Sequence, residues 1–164
     1  MIGITSYGAY IPRYRLNRMM IYNAIGWMAS GNISLSKGEK AVAGFDEDSV
    51  TMAVAAGIDA LNGFDRDNLD AVYFASTCMP FKERLNAGII KAALGLKDQI
   101  GVTDFSSGIK AGTTAILHAI DSVPSGRSKN TLVCASDIRL GKPGSAQEMI
   151  FGDAAAALTI GSEN

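Results

Sequence analysis

Apolar residues recur along this chain with two alternating periods, and the alternation predicts strands interleaved with helices. Ile2 to Ile11 alternates apolar and small residues and stops at Pro12, which predicts an opening strand and its exit turn. Arg18 to Met28 predicts a helix with Met20, Ala24 and Trp27 on one face, and the polar, glycine-punctuated stretch Gly31 to Gly44 predicts a loop over a site entrance. Asp46, Glu47, Asp48 and Ser49 offer oxygens to the open N–H groups of a following helix. The apolar stripe of that helix is Val50, Val54, Ile58 and Leu61, and Gly63 ends it. Asp70 to Thr77 predicts a buried strand. Glu83 to Leu94 predicts a helix with Leu85, Ile89 and Ala92 inward, and Gln99 to Phe105 the next strand. Gly108 to Val123 is helical in period and apolar almost all round, so burial is expected for it. Pro124 to Lys129 reads as a turn. Thr131 to Ser136 and Ala154 to Ile160 are the last two strands, with a long loop, Asp137 to Asp153, between them.

Strands alternating with helices imply right-handed crossovers and a mainly parallel sheet. The helix over Gly108 to Val123 needs apolar cover on more sides than one sheet provides, which points to a missing layer. At 164 residues the chain is expected to form a single domain over 1–164, and 48% hydrophobic residues exclude global disorder. Fifteen Lys plus Arg against 16 Asp plus Glu, with no basic stripe, argue against a nucleic-acid partner. The longest apolar runs fall far short of a membrane span, and no signal peptide is readable at the N-terminus. Cys78 and Cys134 are the only cysteines; two free thiols fit a reducing compartment, so a cytoplasmic protein is expected. No His/Cys spacing suits a metal, and the glycines form no nucleotide-binding loop.

Three segments carry a more specific signal. Asp104-Phe-Ser-Ser-Gly-Ile-Lys-Ala-Gly-Thr-Thr-Ala resembles the segment of the 3-hydroxy-3-methylglutaryl-CoA (HMG-CoA) synthase family that bears an acylated cysteine. Phe151-Gly-Asp-Ala-Ala-Ala-Ala-Leu is similar to a stretch shared with ketoacyl synthase III relatives, and Gly3-Ile-Thr-Ser-Tyr-Gly-Ala-Tyr-Ile-Pro to the family's first strand. The resemblance covers essentially all 164 residues. It implies the N-terminal half of a thiolase-like fold, a βαβαβαββ mixed sheet with a buried helix at 108–123. Family members run to about twice this length, so the resemblance implies that the second half, with its reactive His and Asn, comes from elsewhere: a C-terminal thiolase half or a partner subunit, in a homo- or hetero-oligomer.

Two departures limit what the resemblance carries over. Aligned through Lys110-Ala-Gly-Thr, the nucleophile slot holds Ile109, a hydrocarbon that cannot form an acyl thioester. Aligned through Phe74-Ala-Ser, the slot of the acid/base glutamate holds Thr77, which exchanges no proton near neutral pH as a carboxyl does. Cys78, next along, is either a relocated nucleophile or an inert, partly buried thiol; the inert reading is favoured. Lys110 either contacts a ligand carbonyl or phosphate or simply snorkels at an interface. Arg139 and Lys142, with Arg127 and Lys129, are either phosphate contacts or scattered surface charge. His118, nine positions after Ile109, is turned about 180° away from it and reads as packing, and Asp153 as a loop brace. Ser76, Thr77, Ser106 and Ser107 form a hydroxyl cluster suited to a ligand pocket, with Ser107 a substrate contact. Three functions stay open: a protein that binds a coenzyme A thioester as substrate, with no resident cofactor, and assists C–C bond formation or cleavage; a catalytically silent subunit that scaffolds an active partner; or a free-standing ligand-binding or scaffolding domain.

Overall fold

The computed structural model describes residues 1–162, so the last two positions of the expected 1–164 domain lie outside the described residues. Seven strands and five helices follow one another as β1 (Ile2–Tyr10), β2 (Tyr14–Asn17), α1 (Arg18–Ile25), β3 (Glu39–Val42), α2 (Ser49–Ala60), β4 (Ala71–Ala75), α3 (Asn86–Ala93), β5 (Gly101–Phe105), α4 (Ala111–Ser122), β6 (Asn130–Asp137), α5 (Ala146–Ile150) and β7 (Ala154–Ser162). Five strands form one mixed sheet in the order β1-β7-β6-β4-β5. β4 runs parallel to β5 and β6, while β7 is antiparallel to both β6 and β1.

The connections fix the layers. β4 leads through α3 outward to β5, and β5 leads through α4 back across β4 to β6, so crossovers of one hand put α3 and α4 on opposite faces. On one face, α2 and α3 bury Met52, Ala53, Ala56, Ile90 and Leu94 against Val72, Phe74, Leu132 and Cys134. On the other, α4 buries Ala111, Ala115 and Ala119 against Tyr73, Ala75 and Val133. The opposite side of α4 is open in this chain: Leu117 and Ile120 are 56% and 38% exposed. The helix is therefore covered on one side only.

Several local expectations are corrected. The helix from Arg18 stops at Ile25 and tightens into a 3-10 turn over Gly26–Met28. A turn of three residues breaks the expected face, so Ile21 is buried while Met20 and Trp27 are exposed. Within the expected loop 31–44, residues Glu39–Val42 pair antiparallel with Tyr14–Asn17 as a two-stranded ribbon. α2 begins at a capping box: Asp48 accepts from Val50 N and Thr51 N at 2.9 and 2.7 Å, and Thr51 Oγ1 accepts from Asp48 N at 2.7 Å. Its inward face combines Val50 and Met52 with the small Ala53, Ala56, Gly57 and Ala60, while the expected Ile58 is exposed. α3 starts at Asn86, later than expected, because the Asp104 carboxylate on β5 accepts from Asn86 N and Ala87 N, both at 2.7 Å. That start turns Ala87 and Ile90 inward and leaves Leu85 and Ala92 exposed. The expected loop 137–153 contains α5, capped by Ser145, whose hydroxyl accepts from Glu148 N at 3.2 Å.

Candidate functional site

The carboxyl ends of β4, β5 and β6 meet at one edge of the sheet, where α3 and α4 leave toward opposite faces. Such a divergence opens a crevice, the usual place for a ligand in an α/β sheet. Two adjoining hollows occupy it. The larger, about 530 Å³, is lined by Ser76, Thr77, Ser106 and Ser107 together with Phe81 and Arg84, so the four hydroxyls expected to cluster do share one cavity. The smaller, about 280 Å³, lies between Thr77, Ile109, Gly112, Ser136 and Asp137. Ser76 and Thr77 line both.

The turn from β5 into α4 is tight. Ser107 takes φ 72°, the one non-glycine residue with positive φ among the described residues. That conformation costs on the order of 1–3 kcal/mol and persists only where the surroundings impose it. Ala111 N donates to Gly108 O at 3.0 Å and closes the turn. Ile109, 83% exposed, projects where the turn is sharpest and lines the smaller hollow. Lys110 is the N-cap residue of α4, but no side chain caps that helix, and Lys110 lines neither hollow.

Across from the turn, Asp137 ends β6 and organises the end of β4. Its Oδ1 accepts from Ser76 Oγ at 2.9 Å, Thr77 N at 2.7 Å, Thr77 Oγ1 at 3.0 Å and Cys78 Sγ at 3.2 Å. The parallel register Ala75↔Ala135 carries Thr77 alongside Asp137, so this contact follows from the sheet. Sequence reasoning passed over Asp137, reading it as the first residue of a loop; a carboxylate at the end of a parallel strand was the available signal.

Cys78 is half-buried behind this cluster and lines neither hollow. Its sulfur accepts from Ile138 N at 3.0 Å. Burial pushes the thiol above its usual value, and Asp137 adds to that rise against the lowering effect of the Ile138 N–H and the Ser76 hydroxyl. A raised thiol is the opposite of an activated nucleophile. Arg139 lies off the crevice with its guanidinium 4.3 Å above the Phe151 ring. His118 packs against Phe105, ring centroids 5.3 Å apart, and Asp153 braces the ribbon by accepting from Ala43 N at 2.8 Å. Among the described residues Ser136 Oγ is buried without a hydrogen-bond partner, and Ser136 lines the smaller hollow. Among the described residues no cluster of His, Cys, Asp and Glu is suited to a metal, and no helix is long and apolar enough to cross a membrane.

This sheet order, with helices on both faces and a strained turn into α4, defines a thiolase-like fold. A Thermus thermophilus β-ketoacyl-[acyl carrier protein] synthase III matches it with TM-score 0.84 at 22% identity, covering 99% of this chain and 52% of that one. An HMG-CoA synthase crystallised with CoA matches with TM-score 0.86 at 23% identity, over 99% of this chain and 42% of that one. No protein-family model matches the chain. Among curated proteins, the hydroxymethylglutaryl-CoA synthase of Pyrococcus horikoshii is 33% identical over 165 residues, 99% of this chain and 46% of its own length. That of Caldivirga maquilingensis is 36% identical over 167 residues, again 99% of this chain and 48% of its own. The chain has a thiolase-like fold and is similar over nearly its whole length to the N-terminal half of hydroxymethylglutaryl-CoA synthases. It spans about half the length of the curated relatives it matches.

Proposed function

We propose that the chain binds an acyl-CoA thioester in the paired hollows and assists C–C bond formation or cleavage on it without an acyl-cysteine intermediate. The observation that carries this reading is the juxtaposition at the smaller hollow of Thr77, Ile109 and Asp137, with the buried, unpartnered Ser136 hydroxyl beside them. A site that had become filler has no reason to keep a strained turn at Ser107 and unsatisfied buried polarity, each of which costs stability. Ser107 and Thr77 are the proposed ligand contacts, with Lys110 and Arg139 available to phosphates from outside the crevice. The fold's relative crystallised with CoA supports the ligand class. Ile109 excludes acyl transfer at its own position, so remaining reactive groups come from a C-terminal thiolase half or a partner subunit.

Calorimetric titration of the chain with acetyl-CoA and acetoacetyl-CoA tests the reading, with intact-mass spectrometry for covalent adducts. Saturable binding with no mass shift is expected. Absence of binding would sink the proposal, and acylation at Cys78 would overturn its non-covalent part. A second reading, a catalytically silent subunit that completes an active partner, draws on the loss of both reactive side chains at Ile109 and Thr77. Binding without any chemistry on the bound thioester, alone or with a partner, is its signature.

A further inference from the structure

We infer that Asn86, held in turn by Asp104, is the positioning residue that sets the loop wall of the larger hollow and so decides which acyl group fits there. The inference deepens the acyl-CoA reading above and rests on it. Three walls meet at that hollow. The exits of β4 and β5 are tied to each other, Ser76 N donating to Phe105 O at 3.1 Å. The third wall, residues 81–85, belongs to no helix or strand, and each of its residues is exposed. No buried apolar side chain anchors it. Among the described residues its one backbone–backbone hydrogen bond runs from Gly88 N to Leu85 O. A segment with so little burial opens readily unless something else ties it down.

The tie is one buried amide. Asn86, the first residue of α3, is 1% exposed. Its Oδ1 accepts from Phe81 N at 3.3 Å, while Nδ2 donates to Phe81 O at 2.9 Å and to Arg84 O at 3.2 Å. The side chain thereby pairs with both backbone groups of Phe81, as a neighbouring strand would. Asp104 fixes the amide from β5. Its Oδ2 accepts from Asn86 N at 2.7 Å and from Asn86 Nδ2 at 2.9 Å, and its Oδ1 accepts from Ala87 N at 2.7 Å. Ala87 and Ile90 are fully buried behind this contact, so Asn86 rides on a rigid end of α3. Asp104 therefore joins the loop wall to the strand exit that carries Ser106 and Ser107. Asn86 lines neither hollow and acts through the loop. A binding wall is only as well placed as the groups that hold it.

Calorimetric titration of the full chain with acetyl-, butyryl- and octanoyl-CoA tests the inference. The wild-type chain is expected to separate the best and worst of the three by about tenfold or more, as a shaped pocket does. Asn86→Ala releases the wall and is expected to bring the three affinities to within about threefold of one another. A merely structural role would lower all three together and leave their ratios unchanged. Asp104→Asn places an amide where Asn86 needs an acceptor; it is expected to flatten the ratios likewise, with the double variant adding little. Amide hydrogen exchange on the unliganded wild-type chain needs no variant to fold. Phe81 N–H, paired to Asn86, is expected to exchange about tenfold more slowly than the N–H groups of Lys82 and Glu83. Equal exchange at those amides, or unchanged affinity ratios in Asn86→Ala, overturns the inference and leaves the acyl-CoA reading standing. A wild-type chain that binds none of the three thioesters removes that reading and this inference together.

Discussion

Cys134 sits in the middle of β6, enclosed by the α2 face of the core, and no charged group relieves its burial. Its thiol is pushed up to about 12 from an ordinary 9.0, with desolvation the cause. An unfolded chain ionises this thiol near the ordinary value while the folded chain holds it neutral. The neutral core thiol thus contributes its full stability below about pH 9, and that contribution is lost as pH rises toward 12. Chemical denaturation should show the wild-type chain losing roughly 2–3 kcal/mol more than Cys134→Ala between about pH 9 and pH 11. Parallel pH profiles for the two chains would show that Cys134 is not the titrating group. The site residues divide by how they are encoded. Thr77 and Ile109 were legible because short local motifs, Phe74-Ala-Ser and Lys110-Ala-Gly-Thr, fix their slots. Asp137 was not, because its contact with Thr77 exists only once β4 and β6 lie in parallel register. The stacking of Arg139 on Phe151, outside both hollows, was not legible either, because no local motif links the two residues.

At the scale of elements, the sheet and α2 approach each other more closely than any side-chain stripe suggests. A Cβ built on Gly8 of β1 would stand 2.2 Å from Ala60 N and 2.6 Å from Ala56 O. Both are backbone atoms, so nothing flexible can yield, and α2 itself would have to shift. Gly8→Ala is expected to lower the urea-unfolding free energy by about 2–3 kcal/mol, in the overpacking range. Gly3→Ala on the same strand, where nothing lies within 4 Å, serves as the control and should stay within about 0.5 kcal/mol. Equal effects would refute the close-approach argument. The same tight contact explains why the stripe held at Val50, Val54 and Leu61 but failed at Ile58: periodicity weights large residues, while the closest approach is made by Ala53, Ala56, Gly57 and Ala60. The main strands and helices α1 to α4 were legible because each has a strong period of its own. The β2–β3 ribbon and α5 were not, being four and five residues long. Elements that short carry less than one full repeat of any pattern and are set by partners distant in sequence.

Helices lie on both faces of the five-stranded sheet, and the two helical layers differ in what they expose. The exposed residues of α2 and α3 are Thr51, Ile58, Asp59, Ala92 and Ala93, whereas α4 exposes both Leu117 and Ile120, with Ile109 at its mouth. Apolar side chains grouped on one exposed face lower their free energy by leaving water, and any complementary apolar surface serves. Studied by itself, the chain is therefore expected to self-associate as concentration rises, visible in light scattering as a mass above that of a 17.2 kDa monomer. Leu117→Lys combined with Ile120→Lys should move the equilibrium back toward monomer. Because both side chains are already wet in the monomer, the double substitution should change its unfolding free energy by no more than about 0.5 kcal/mol per site. A chain that stays strictly monomeric at every concentration would mean that the outer face of α4 is content in water, and the argument for a covering layer would fall with it.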